Sequence, residues 1–458
     1  MSSLDQKQFI ITEASITSNQ TGDRSFDIKS IILEVDLFEN IERPYITGRL
    51  LLIDDNSIFD GTAHLQYKGT EKLKLRIEVI SITQDNYIIE KEFVMTTMRY
   101  MTKSGDRSSM ILFDLVDYKL YSNYFKKFSR SYSGTPVEII NKILTDASLL
   151  NSKPLIKVCD DPIQKNMKVV VPYLTPFGAI EWLRDRCTTE NGSPLFTYAS
   201  IHHDLIILDS LDNILIQSPW NNTPRYSRNP FVQSTAMANS NPNNWLNSEH
   251  QLISSVEFTD QHDNMKLLKS GAISSQYTNL DISTNRRVSS KYSAKDLMDN
   301  LSRSDVVSNI NQNVYDIFEQ DKNDVNVDTL PSMYFHQVNL SNVYGDDYSY
   351  YDDPTPSSYK KRVENLALRN FLLENQVKVT VPSYAFIATT TGVGTIASFH
   401  FTSNYSTEDG VSSNDQVFDQ DKSGDYMIYA LRHKFAGSQM QTSVTACKLE
   451  RNYMAPAS

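Results

Sequence analysis

Cysteine is scarce in this 458-residue chain: Cys159, Cys187 and Cys447 lie far apart, and no Cys-x-x-Cys pair occurs. An odd, sparse set argues against a disulfide framework and against a zinc site. Long apolar runs are also missing. No stretch approaches the ~20 residues that cross a bilayer as a helix. The opening Met1-Ser2-Ser3-Leu4-Asp5-Gln6-Lys7 has no apolar core, so neither a membrane span nor a cleaved leader is expected. Excess positive charge is absent: 44 Lys and Arg stand against 55 Asp and Glu, a net charge of −11. A nucleic-acid binder carries a basic face that displaces counterions from phosphate, so this balance argues against one. It allows a polyanion to pass a channel whose carboxylates repel it. No Gly-x-Ser-x-Gly, His-Glu-x-x-His or zinc pattern appears, which points away from an enzyme.

What is present fits a soluble folded protein: 40% hydrophobic and 22% charged residues, in a chain long enough for roughly two to four domains. Short strands at regular spacing dominate residues 1–125. Segments 28–37, 45–54, 73–79, 93–100 and 110–116 are apolar or alternating, and turn residues such as Lys68-Gly69 and Ser104-Gly105-Asp106 separate them. Such spacing suggests a barrel or sandwich. Residues 219–247 are rich in Asn, Pro and Ser, as in Asn239-Ser240-Asn241-Pro242-Asn243-Asn244, and read as a surface connection or a segment held by a neighbouring subunit. Strand patterns return near Leu252 and recur at 253–258, 376–382, 396–401, 425–435 and 441–451. Helical spacing appears at 295–318, with Ser293 as cap, and at 359–374.

Between these β regions the chain changes character. Thr135-Pro136-Val137-Glu138 opens a helix. Thr135 can cap a first-turn amide, Pro136 lacks the amide that would be orphaned, and Glu138 can reach back. Ile139, Ile140, Ile143, Leu144 and Ala147 follow at helical spacing. Thr175-Pro176 repeats the device, with Phe177, Ile180, Leu183 and Cys187 as its apolar stripe. The strand Met167-Lys168-Val169-Val170-Val171 between the helices stops at Pro172. Leu195-Phe196-Thr197-Tyr198 and Leu205-Ile206-Ile207-Leu208 then form a hairpin.

The order and spacing of these pieces resemble the central hub proteins of contractile, T-even-like phage tails and the hub part of type VI secretion spike proteins. The matching pieces are the capped helix from Thr135 to Leu144, the helix from Thr175 through Trp182 and Leu183 to Arg186, Gly192, and the hairpin from Leu195 to Asp209. The chain's end is similar too, with Ser423-Gly424-Asp425-Tyr426 and His433-Lys434-Phe435. Pro382-Ser383 departs from the Pro-Gly usual in that family after its first late strand, which bears on the turn and not on the strand.

Isolated constellations carry little chemistry. His202-His203-Asp204 falls between two strands and reads as a polar turn, since neighbouring side chains of an extended chain diverge. Asp160-Asp161-Pro162 is a turn. Gly392-Val393-Gly394-Thr395 lacks the lysine of a nucleotide loop and precedes a strand. The Asp/Tyr block at 346–353 lacks calcium-loop spacing. Lys360-Lys361-Arg362 opposes the dipole at a helix start and reads as a solvated face.

The expected fold is mainly β with α+β insertions. Two tail-tube-like β-barrel domains, residues 1–125 and 251–452, flank an α/β hub domain, 126–216, and a connection, 217–250, with helical and acidic insertions at 293–358. The resemblance implies a homotrimeric baseplate hub that adapts a six-fold tail tube to a three-fold central spike. Tube or tube-initiator proteins would lie above it, the spike below and wedge proteins around it, while DNA or a tape-measure protein passes the channel unbound. It implies no catalytic residue, cofactor or metal, and assembly in a bacterial cytoplasm into a virion tail. Two alternatives remain open at this point: a tail-associated glycan or peptidoglycan hydrolase, and the hub of a contractile injector or type VI spike. Because the last expected strand falls close to Ser458, a spike would be a separate chain.

Overall fold

The computed structural model describes residues 8–448 apart from 20–23, 56–57, 60–64, 66, 81–85, 104–107, 159–166, 186, 188, 190–192, 223–230, 234–251, 260–263, 283–284, 294–330, 340–355, 375, 384–385, 388–390, 403–418 and 420–421. The helix expected at 295–318, the block at 346–353, the turn at 160–162 and most of 219–247 lie outside the described residues.

The chain opens with β1 (Phe9–Thr17), β2 (Ser25–Asp27), β3 (Ile32–Asn40), β4 (Thr47–Asp54), β5 (Glu71–Val79), β6 (Tyr87–Lys103) and β7 (Ser109–Asp117). Period-two burial is strict in β4 and nearly so in β5, where Leu73, Leu75, Ile77 and Val79 are buried between wetter neighbours. β3 starts later than the sequence suggests. The Asp27 carboxylate accepts from the Lys29 amide and draws Lys29–Ile31 into a 3-10 turn, a local alternative to the ladder. Helix α1 (Tyr118–Tyr124) was not expected. Its cap, Asp117, accepts from the Lys119 amide, but only Leu120 and Asn123 are buried, so the sequence carries no apolar stripe to announce it.

The middle segment holds β8 (Ser131–Gly134), α2 (Pro136–Thr145), β9 (Ile156–Lys157), β10 (Met167–Val170), α3 (Pro176–Arg184), β11 (Leu195–Ser200), β12 (His203–Ser210) and α4 (Leu211–Leu215). Thr135 caps α2 in a full capping box with Glu138, and Thr175 caps α3 by accepting from the Gly178 amide. Ile139, Ile143, Ile180 and Leu183 are buried in one cluster, as the cap-proline-stripe pattern requires.

The remainder comprises β13 (Phe231–Val232), β14 (Ser255–Thr259), α5 (Asn264–Ser270), β15 (Ser274–Asp281), β16 (Arg286–Ser293), β17 (Met333–Asn339), α6 (Pro356–Glu374), β18 (Gln376–Pro382), β19 (Ile396–His400), β20 (Gly424–Ala436) and β21 (Gln439–Cys447). Ser293, expected as a helix cap, instead ends β16 opposite Ser274. β16, β15 and β17 form a small separate sheet. Its first two strands are rich in Ser and other polar residues, which hid them from the apolar pattern. Phe231, inside the Asn/Pro-rich segment, is core: its ring stacks 5.7 Å from Phe386 and 5.4 Å from Phe399.

One sheet runs through both β regions in the order β14-β18-β21-β20-β3-β4-β7-β6-β5-β1-β2. From β14 to β6 every neighbour is antiparallel. The two regions share one strand order. In β3, β4, β6, β7 and in β14, β18, β20, β21 the first two strands pair, the second pairs with the last, and the last pairs with the third. The third strand divides one of its edges in both cases. β19 takes the first half of β20 and β3 its second half, with a bulge between Ile428 and Ala430. β5 takes β6 as far as Met95, a bulge follows, and the second half of β6 has β7 on its other side. Among the described strands none pairs with that remaining edge of β6, nor with the outer edge of β14.

Candidate functional site

The face of the shared sheet opposite the apolar cores forms an open groove of about 850 Å³, lined from β3, β4, β6, β7, β14, β18, β20 and β21. Alternation puts Val35 and Leu37 into the core and Asp36 and Phe38 toward the groove. The groove lining includes small polar residues, such as Asn40, Thr47, Ser255, Thr380, Ser443 and Thr445, with charges set in register. Lys434 lies opposite Asp36, Asp36 opposite Arg49, and Arg49 opposite Asp114. The Arg432 Nε and Nη2 reach Asp36 at 3.0 and 2.7 Å. Lys434 reaches Glu34 at 2.7 Å. The Arg99 Nε donates to both Asp114 oxygens at 2.8 and 2.7 Å, and the Arg49 Nε stands 3.5 Å from Asp114. Phe38 lies between two guanidinium groups, Arg49 at 5.6 Å and Arg432 at 5.9 Å from its ring centre. The groove carries Arg43, Arg49, Arg99, Lys378 and Arg432 beside Glu39, Asp114 and Glu257.

Beneath the groove the middle segment is pinned to both β regions. Glu39 is buried, its Oε1 accepting from the Ile201 amide at 2.6 Å, and burial pushes its carboxyl up to about 7. Lys91 donates to the carbonyls of Ser200 and His203 at 3.4 and 3.3 Å, and burial lowers its pKa. His202 Nε2 lies 3.2 Å from the Thr391 carbonyl, and desolvation holds the ring near 4. His433 Nδ1 meets Thr442 Oγ1 at 2.9 Å, and burial drives the ring to about 3. Thr442 Oγ1 donates in turn to Ser383 Oγ at 2.7 Å. The serine that departs from the family's Pro-Gly pattern thus holds part of this network.

Where the middle segment meets both β regions, Arg184 and Arg369 alternate with Glu42 and Asp185. Arg184, nearly buried, lies 2.8 Å from Asp185 and 3.4 Å from Glu42, and Arg369 reaches the same acids at 3.2 and 3.4 Å.

The constellations weighed on sequence do not converge on chemistry. The rings of His202 and His203 stand 6.5 Å apart, and Asp204 turns to Lys119 at 2.7 Å. Gly392–Thr395 is the turn before β19. Gly394 has φ +78, and a Cβ there would come within 2.7 Å of the Tyr198 hydroxyl. Lys360, Lys361 and Arg362 fall within α6. Among the described residues no group of three His, Cys, Asp or Glu could hold a metal ion, and no helix is long and apolar enough to cross a membrane. The groove charges escaped sequence reading, though a signal existed: Glu34 and Asp36 recur at period two inside an apolar strand.

No family model and no curated protein matches this sequence. Solved structures do. The chain is similar to the 43 kDa tail protein of prophage MuSo2 from Shewanella oneidensis, at 8% identity and a TM-score of 0.51, over 95% of this chain and 98% of that one. The chain shares the fold of that prophage tail protein. The tail protein from Neisseria meningitidis MC58 is similar at 11% identity and a TM-score of 0.49, over 96% of each chain. A chain of the Francisella PdpA–VgrG complex is similar at 9% identity and a TM-score of 0.40, over 99% of this chain and 60% of that one. In this fold the groove belongs to the sheet that both β regions build, and the middle segment stands behind their junction.

Proposed function

We propose that this chain is a structural hub of a contractile tail, acting as a homotrimer. The carrying observation is the repeated strand order. Inside one chain the second half of β20 is met by β3, the first strand of the other region. The second half of β6 is the equivalent edge, and the outer edge of β14 is the equivalent of β3. Strands β14 to β6 are eight in number and alternate in direction, so the two free edges run opposite ways. Copies can therefore join β6 to β14 antiparallel and repeat the internal joint. A closed ring leaves no edge open to runaway pairing.

Each chain would supply two quasi-equivalent sheet units. Three chains then present a six-fold rim to a tail tube and a three-fold body to a central spike. The groove would line a channel passed by DNA or a tape-measure protein, and wedge proteins would surround the ring. The role is mechanical, and its place is the baseplate of a virion tail.

Native mass spectrometry of the full chain tests the reading, together with a variant carrying proline and lysine in β14. A trimer that the variant breaks to monomers is the expected result. A wild-type protein that stays monomeric at every concentration overturns it.

A further inference from the structure

We propose that Asp114, Asp36 and Glu34 are built-in counter-charges that keep the groove's arginines from gripping a polyanion, so that nucleic acid can slide past this face without being held. The inference rests on the reading of the groove as a channel wall.

Five basic side chains on one concave face would ordinarily mark a nucleic-acid site, because each one that contacts phosphate releases a counterion. Here four of the five already have carboxylate partners from neighbouring strands of the same sheet, Lys378 through Glu257 at 3.9 Å. Asp114 takes Arg99 in two hydrogen bonds and holds Arg49 at 3.5 Å. Asp36 takes Arg432 in two more, with Glu34 a further 3.6 Å from the same guanidinium and engaged with Lys434.

The burial order matters. The Asp36 side chain is 4% exposed and that of Asp114 21%, while Arg432, Arg49 and Arg99 are 41, 43 and 50% exposed. The acids lie under the bases, fixed by the strand register, and cannot swing away to let a phosphate in. Arg432, which donates from Nε and Nη2 to Asp36, has given to a carboxylate a fork that could hold phosphate in two places, and Arg99 has given its Nε to Asp114. The remaining lining includes the acids Glu39 and Glu257 and small polar residues such as Asn40, Thr380 and Ser443, and the Phe38 ring, which could stack a base, lies between Arg49 and Arg432. The surface offers a passing polyanion neither a repulsive wall nor a grip.

The test compares the full-length protein with Asp114→Asn, which is partly exposed and keeps its shape, and with the triple variant Asp114→Asn/Arg49→Gln/Arg99→Gln. The probe is a single-stranded and a duplex DNA oligonucleotide, titrated at several salt concentrations, with oligomeric mass recorded in parallel. Freeing two arginines should raise the affinity of Asp114→Asn for DNA by at least about tenfold at low salt and steepen the salt dependence by about two units. The triple variant should fall back to wild-type behaviour. Asp114→Asn that stays folded and trimeric yet binds DNA no better overturns the inference and leaves the hub reading intact. Tight, salt-sensitive DNA binding by the wild-type protein also overturns it. Binding gained by Asp114→Asn in a protein that never forms trimers upholds the masking and removes the hub reading. A variant that gains affinity for an unrelated acidic polypeptide but not for DNA overturns it as stated.

Discussion

Arg432 and Asp36, 396 residues apart in the chain, close a two-bond pair across the β20–β3 ladder that joins the two β regions. The carboxylate beneath is buried and the guanidinium above is half in solvent. Removing the upper partner strands the lower one. Arg432→Ala is expected to cost about 1–3 kcal/mol, the solvent-facing side of the arginine keeping it from the top of the buried-pair range. Urea unfolding checks it. Asp36→Asn in the same background should recover part of the loss, because the orphaned charge is then gone.

Both caps of the middle segment are predicted to matter singly and to add. Thr135→Ala and Thr175→Ala should each cost about 1 kcal/mol. They cap separate helices, so the double variant should lose roughly the sum. Ile139→Ala, at a fully buried site on α2, should cost about 2–5 kcal/mol by leaving a cavity. Chemical denaturation of the four variants settles the ranking.

Acidification sets buried imidazoles against a buried carboxyl. Glu39 has its pKa raised to about 7. Between its unfolded value and 7 the folded chain holds a proton that the unfolded chain has released, so this group's contribution to stability falls as pH rises through that window. Glu39→Gln should remove that slope, worth up to about 3 kcal/mol. His202 and His433, lowered to about 4 and about 3, act in the opposite sense. The unfolded chain protonates them first, so stability is lost as pH falls below about 6.5. His433→Asn should flatten the acid limb of a stability–pH profile measured by thermal melting, while Glu39→Gln flattens the limb approaching neutrality.

Gly48 is predicted to be irreplaceable in β4. A Cβ there would lie 2.7 Å from the Asp36 carbonyl and 3.3 Å from Leu37. Backbone cannot step aside as a side chain can. Gly48→Ala should cost about 1–3 kcal/mol through overpacking, despite the better strand propensity of alanine. A rise in stability on this substitution would show that β3 and β4 can part without loss.

Much of this molecule is local, and what is local was legible. Thr135-Pro136 and Thr175-Pro176 specify helix starts because a cap and a missing amide act within one turn. β5 announces itself because burial on one face demands period two. The strand at 376–382 ends at Pro382 because proline cannot donate to the next rung. Where local forces compete evenly, the reading slipped. Asp27 diverted Lys29–Ile31 into a turn, and α1 formed with scarcely an apolar face. β15 and β16 assembled from polar residues whose large buried side chains include Tyr277 and Tyr292.

The sequence by itself determined the element types, the capped helices, the buried stripe of the middle segment and the mainly β class, since each depends on residues close along the chain. Tertiary structure alone decided that β20 pairs with β3, that both β regions repeat one strand order, and that Arg432, Arg49 and Arg99 lie over carboxylates from neighbouring strands. Strand partners hundreds of residues apart are chosen by the fit of whole faces and edges, a sum over many weak contacts that no short stretch contains. For that reason the repeated strand order, which carries the functional reading, became visible only when the sheet was assembled, and the groove with it.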